Sequence, residues 1–252
     1  MAGVLAAGAI GAQLGAQLGP AEGAGRQAAV ALGAGGLQLA VCVAWLTRRR
    51  RPDWWAAGGA GAGGSIGTGQ VGAAGGPAAQ LAPVAGRVFA GLGVLLLAWP
   101  WVQLASFAGA AVQRVTGGPQ IPELGHATLG ILAREGATPA AVALAAAAVL
   151  VAPVVEECLY RGLMQGAFGA IGARPSTRTL LVAAIFSLVH VGAVPSDALA
   201  AALPALAVLG IALGVARERS GTLLVPMVAH AAFNGANLLI LLWRPSPILP
   251  AS

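Results

Sequence analysis

The chain has 252 residues, of which 58% are hydrophobic and only 9% are charged, and its formal net charge is +6. A water-soluble domain of this length could not bury so much apolar surface, so the composition indicates a polytopic membrane protein. All of its basic residues are arginines, and they fall in a few clusters. A nucleic-acid-binding protein would need a broad basic face, so binding to nucleic acid is not expected.

Six apolar runs are long enough to cross a bilayer as helices. They cover residues 27–46, 88–109, 139–160, 179–193, 197–216 and 222–243. Residues 1–19 could form a seventh span, although their glutamines make them a poor one. The predicted fold class is therefore an all-α membrane protein with about six transmembrane helices, or seven if residues 1–19 also cross the membrane.

Composition divides the chain into five segments. They are an N-terminal segment with the first helix and an Arg cluster (1–51), a Gly-rich flexible linker (52–86), the second helix with an outer amphipathic loop (87–138), a four-helix core (139–243) and a C-terminal tail (244–252). The linker has no hydrophobic periodicity, which is typical of a flexible connection. The two cysteines, Cys42 and Cys158, are expected to be small buried hydrophobic residues rather than disulfide partners.

Arginine placement predicts how the helices are oriented, because short cytoplasmic loops carry an excess of positive charge. If the first helix ends inside at residues 48–51, alternation of the spans places ten arginines on the cytoplasmic side. It leaves four outside, at Arg26, Arg114, Arg134 and Arg244. The expected location is a bacterial inner membrane, with the site described next opening towards the cytoplasm.

Titratable groups inside membrane helices are costly to bury, so they usually face a protein interior or a wet cavity and indicate function. In this chain they are concentrated on three predicted helices. The polar residues of those helices are Glu156, Glu157, Arg161, His190, His230 and Asn234. Glu157 and Arg161 are four residues apart, as are His230 and Asn234, so each pair lies on one helix face. The three helices can therefore converge on one buried site.

These residue types are suited to hydrolysis. A carboxylate beside an imidazole can polarise a water molecule and accept its proton. A second histidine with an amide can donate hydrogen bonds to a developing oxyanion. An arginine beside one glutamate would keep that glutamate ionised. Spacing alone does not say which of Glu156 and Glu157 is the base.

Three motifs, in this order, resemble the CAAX protease and bacteriocin-processing family of intramembrane endopeptidases, which includes the CAAX prenyl protease. They are EECLYR with the pattern Glu-Glu-x-x-x-Arg, FSLVH with the pattern Phe-x-x-x-His, and HAAFN with the pattern His-x-x-x-Asn. The resemblance covers roughly residues 139–243. It implies that Glu156 and His190 activate the attacking water, that His230 and Asn234 stabilise the oxyanion, and that Glu157 and Arg161 support them.

The resemblance also bears on cofactors and partners. It favours a metal-independent glutamate mechanism, while a zinc ion bound by Glu156, His190 and His230 is the less favoured alternative. The expected partners are the lipid bilayer and a membrane-associated protein or peptide substrate, whose identity the sequence does not indicate. The oligomeric state is not indicated either.

Two other functions are considered. A catalytically inactive immunity or scaffolding relative would be expected to lack one of the motif residues, and all of them are present. A small transporter with a proton relay would be expected to have an internal repeat with broken helices, and the first hundred residues share no pattern with the rest.

Overall fold

The computed structural model describes residues 84–119, 127–135 and 137–243, and within these ranges the chain is helical without strands. Five helices in this part are long and apolar enough to cross a membrane, and a sixth is short. In chain order they are α1 (Val84–Val115), the short α2 (Ala127–Glu135), α3 (Pro139–Ala170), α4 (Pro175–Val189), α5 (Leu199–Ser220) and α6 (Leu224–Trp243). The protein is a multi-pass integral membrane protein, and the predicted fold class is confirmed.

Five of the six predicted spans coincide with α1, α3, α4, α5 and α6. The remaining prediction, residues 27–46, lies outside the described residues, as do Cys42, the possible span at residues 1–19 and the C-terminal tail. Helix α1 begins at Val84, before the predicted boundary at residue 87. Cys158 is buried within a hydrophobic cluster, as expected.

The predicted end of the third span at residue 160, close to the two glutamates, is wrong. Helix α3 continues to Ala170, so Glu156 and Glu157 lie near its middle. In the sequence, the apolar run stops at Arg161, and the end of the helix was placed there. Arg161 is paired with Glu157 inside the protein, so it does not need to reach the membrane surface.

Helix α3 is not a uniform α-helix. Two segments, Ala147–Val151 and Cys158–Met164, wind as π-helix, and a short α-helical segment, Ala152–Glu157, lies between them. Pro153 lies at the start of that segment. π-Helical turns are uncommon and are found mostly at functional sites, because the wider turn displaces side chains and frees backbone carbonyls. The two glutamates end the segment between these turns.

Two glycines on α5 let this helix pack closely against α4. A Cβ added at Gly210 would lie 3.1 Å from Cα of Ala183 on α4, and one at Gly214 would lie 2.8 Å from Cγ2 of Thr179. Small residues let membrane helices pack this closely. Gly210 and Gly214 therefore form a helix-packing face. One core cluster joins α3 to α4, and another joins α1, α5 and α6.

Hydrogen bonds hold the loop after α1 and the loop between α4 and α5 to the end of α1. Gln113, near the end of α1, donates hydrogen bonds from Nε2 to the carbonyls of Pro119 and Asp197. Asp197 lies between α4 and α5. The short helix α2 packs Ile131 against the first turns of α3. It lies in the predicted outer loop, where a short amphipathic helix was expected.

Candidate active site

Glu157 is the fully buried centre of the site, with none of its side chain exposed. Its Oε1 accepts hydrogen bonds from Nη1 of Arg161 and from Nδ1 of His230, both at 2.9 Å. Because a carboxylate only accepts, Nδ1 of His230 carries a proton. Arg161 also donates from Nη2 to the carbonyl of Gly210 on α5, at 3.1 Å. Glu157 therefore joins three helices, α3, α5 and α6, through its two charged or polar partners.

Glu156, the neighbour of Glu157, has a different environment. Its side chain keeps 28% exposure, and its Oε2 lies 3.9 Å from Nε2 of His230 and 4.0 Å from Nε2 of His190. Oε2 itself is buried and has no hydrogen-bond partner among the described residues. These separations are too long for direct hydrogen bonds. They are suited to a bridging water molecule held between carboxylate and imidazole.

His190 is oriented by the end of the helix that carries it. Helix α4 stops at Val189, and the chain tightens into a 3₁₀ turn at His190–Gly192. The backbone N–H of His190 bonds within this tighter turn to Ser187, and the carbonyl of Phe186 lies 2.6 Å from Nδ1 of the imidazole. Since a carbonyl only accepts, Nδ1 is the donor, and Nε2 is directed at Glu156.

Phe186, the first residue of the FSLVH motif, packs against several members of the site. It is fully buried, and its ring centre lies 4.7 Å from that of His190 and 5.8 Å from that of His230. The guanidinium carbon of Arg161 lies 4.8 Å from the ring centre, in cation–π contact. Tyr160 meets the same ring edge-on at 5.2 Å and was missed, although it is four residues from Glu156.

Asn234 lies one turn beyond His230 on α6, and its amide is directed at the backbone of α3. Nδ2 donates to the carbonyl of Ala148 at 2.8 Å, within the first π-helical segment. Among the described residues, this amide bonds to none of the four Glu and His side chains. The structure therefore brings five of the six predicted site residues into contact and places Asn234 at their edge. One Nδ2–H remains for another acceptor.

The less favoured metal site can be compared with this geometry. Oε2 of Glu156 and the Nε2 atoms of His190 and His230 are donors that bind zinc. Neighbouring ligand atoms in a tetrahedral zinc site lie about 3.3 Å apart, given bonds of about 2.0 Å. The separations of 3.9 and 4.0 Å are longer. No group of three or more such side chains is arranged to hold a metal ion within the described ranges.

A second polar cluster lies further along α3 than the site, and it was not predicted from the sequence. Gln165 on α3, Arg178 on α4 and Glu218 on α5 are joined by hydrogen bonds of 2.5 to 2.7 Å. In the sequence Arg178 and Glu218 look like charges at helix ends. The available signal was the four-residue spacing that places Gln165 on the same face of α3 as Glu157 and Arg161.

Comparison with known proteins gives one match. Residues 138–236 match the family model of Rce1-like type II CAAX prenyl endopeptidases. This range contains all six predicted site residues, and the predicted family resemblance is confirmed. No curated protein and no solved structure gives a significant match. The matched family is one of proteases, and a protease embedded in the membrane acts on membrane-associated substrates.

Proposed function

From the Rce1-like CAAX protease domain that the chain carries, we propose that this protein is an intramembrane endopeptidase that uses Glu156 to activate water. One observation carries the proposal. The carboxylate oxygen Oε2 of Glu156 faces the Nε2 atoms of two histidines at distances that suit a bridging water. The same site is formed by residues from α3, α4 and α6, which are far apart in the sequence.

Hydrogen-bond chemistry fixes how such a water would be oriented. Nδ1 of His190 carries its proton because it donates to the carbonyl of Phe186, so Nε2 of the neutral ring is an acceptor. A water between Glu156 and His190 would donate one hydrogen to each. Its lone pair would then be free to attack the carbonyl carbon of a peptide bond, while Glu156 takes the proton.

The attack forms a tetrahedral intermediate with a negatively charged oxygen. His230 would stabilise this oxyanion through Nε2–H, a role that requires a proton on each ring nitrogen, with Nδ1–H bonded to Oε1 of Glu157 at 2.9 Å. The remaining Nδ2–H of Asn234 would supply a second hydrogen bond. Glu156 then returns its proton to the leaving nitrogen, the C–N bond breaks, and the products are a carboxylic acid and an amine.

We propose further that the reaction needs no metal ion, since the chain supplies a base, a proton carrier and oxyanion donors from its own residues. The substrate class is a membrane-associated protein or peptide. Activity in purified protein should therefore persist after prolonged dialysis against a zinc chelator. Loss of activity that added zinc restores would instead indicate the metal site at Glu156, His190 and His230.

Cleavage assays with the Glu156→Gln variant test the proposed function. The change keeps the shape of the side chain and removes the base, so we expect kcat to fall by at least about 100-fold. Asp197→Asn is the matched control, since it makes the same carboxyl-to-amide change in the loop between α4 and α5. Two probes cover the substrate question: a farnesylated peptide with a CAAX end, and comparative peptide profiling of membranes containing either form. Equal products from wild type and Glu156→Gln in both assays would contradict the proposal.

A further inference from the structure

Helix α3 carries a continuous polar stripe that begins at the site and runs towards the end of the helix. Glu157, Arg161 and Gln165 follow at four-residue spacing, and their exposures are 0%, 1% and 2%. Helix α5 has a matching row, Gly210, Gly214 and Glu218. Arg161 donates to the carbonyl of Gly210, and Gln165 donates to the carbonyl of Gly214 at 3.2 Å. The two helices are thus held in register by side-chain bonds to backbone.

The last member of the stripe joins a third helix. Nε2 of Gln165 also donates to Oε1 of Glu218, at 2.5 Å. Glu218 in turn accepts two hydrogen bonds from Arg178 on α4, from Nε at 2.7 Å and from Nη2 at 2.5 Å. This two-pronged geometry is directional as well as strong. Glu218 therefore fixes α3, α4 and α5 to one another at a single point, and we call these three residues, Gln165, Arg178 and Glu218, the clamp.

Packing around Arg178 shows that the clamp tolerates little displacement. A Cβ added at Gly169 on α3 would overlap Nη1 of Arg178. Arg178 is itself only 8% exposed, so its guanidinium has little space to move aside. The arginine thus lies directly against the backbone of α3, where an added methyl group would have to displace its guanidinium.

The clamp bears on the site because the reacting groups lie on the helices it joins. Glu156 is on α3, and His190 is at the far end of α4, so their separation of 4.0 Å depends on the register of these two helices. Displacements of about 1 Å between reacting groups can lower a rate about 100-fold. We propose that Gln165, Arg178 and Glu218 are positioning residues that set the register of α3 against α4 and so align His190 with Glu156. This inference rests on the proposed function.

The Glu218→Gln variant, in full-length protein in nanodiscs, tests this inference. It keeps the side-chain shape and removes the charge that holds Arg178. We expect kcat per folded molecule to fall about tenfold while KM stays within about twofold, because substrate contacts are unchanged. Gly169→Ala should have the same effect by displacing Arg178. Its matched control is Gly130→Ala, where the added Cβ would lie at an ordinary 3.6 Å from Nη1 of Arg134.

A distance measurement separates positioning from stability and does not depend on activity. Spin labels at Leu150→Cys on α3 and Leu188→Cys on α4, both exposed positions, report the register directly. We expect the distance distribution to shift or broaden in Glu218→Gln and to stay unchanged in Gly130→Ala. An unchanged distribution with wild-type kcat would overturn the inference, as would a loss of folded protein with normal kcat. If the wild type cleaves nothing, the proposed function fails, and the distances still decide whether the clamp sets the register.

Discussion

The two neighbouring glutamates of the site have different surroundings and are suited to different roles. Glu157 is fully buried and is held by Arg161 and His230. Glu156 keeps 28% exposure, and its Oε2 has no hydrogen-bond partner among the described residues. Adjacent helical residues point about 100° apart, so one faces the protein and the other faces the space between the histidines. The paired glutamate is suited to hold charge, and the unpaired one to take a proton.

The amide of Asn234 is predicted to stabilise the oxyanion directly. If its second Nδ2–H stabilises the oxyanion, Asn234→Ala should lower kcat by about 100-fold. The matched control is Asn237→Ala on the same helix, whose Nδ2 donates only to the local carbonyl of Phe233 at 2.9 Å. Steady-state kinetics of both variants decide the matter. If the two variants have equal kcat, the bond to the carbonyl of Ala148 is the whole role of Asn234.

Much of the site could be predicted from the sequence, since four-residue spacing places Glu157 with Arg161 and His230 with Asn234. The contacts that were not predicted all join parts of the chain that are far apart in the sequence or depend on how helices pack. Bonds from side chains to distant backbone, such as Asn234 to Ala148, have no periodic signal. Phe186 and Tyr160 looked like ordinary core residues, because contact between a ring and a histidine depends on how helices pack rather than on spacing.

The helices themselves were found from apolar runs, but several of their ends were misplaced, three of them beside charged residues. Arg161, Arg178 and Glu218 were taken as charges at or beyond the limits of the membrane spans. In the structure Arg161 is paired with Glu157 within α3, and Arg178 on α4 is paired with Glu218 on α5. Helix α3 therefore extends to Ala170, α4 begins at Pro175 and α5 extends to Ser220. A paired charge within a span costs less than an unpaired one, and hydropathy alone does not show which charges are paired.

The close packing of α1 against α5 is predicted to depend on a glycine in α1. A Cβ at Gly109 on α1 would overlap the carbonyl oxygen of Ala200 on α5, whereas one at Gly93 on the same helix would meet nothing within 4 Å. Gly109→Ala should therefore lower stability by about 1–3 kcal/mol, because backbone must move. Gly93→Ala should be neutral or slightly stabilising, since alanine favours a helix. Thermal unfolding in detergent measures both, and similar melting temperatures would show that α1 and α5 do not pack this closely.

The described helices have an uneven distribution of charge between the two ends of the bundle. Alternation of the five described helices puts Arg87, Arg174 and the last turn of α5 at one end of the bundle. Arg114 and Arg134 lie towards the other. The positive-inside rule then predicts that the start of α1 lies in the cytoplasm. The site near the middle of α3 would be reached by water from within the bundle rather than at a membrane surface.

Cysteine labelling in intact bacterial cells tests this orientation. Thr116→Cys, beyond the end of α1, should react with a membrane-impermeant maleimide added outside, because it is exposed and lies at the end with fewer arginines. Ser220→Cys, at the end of α5, should react only after the cells are opened, because this turn carries Arg217 and Arg219. Both changes are made with Cys42 replaced by alanine, while Cys158 is buried. The opposite labelling pattern would reverse the orientation, since the arginine bias would then have misidentified the cytoplasmic end.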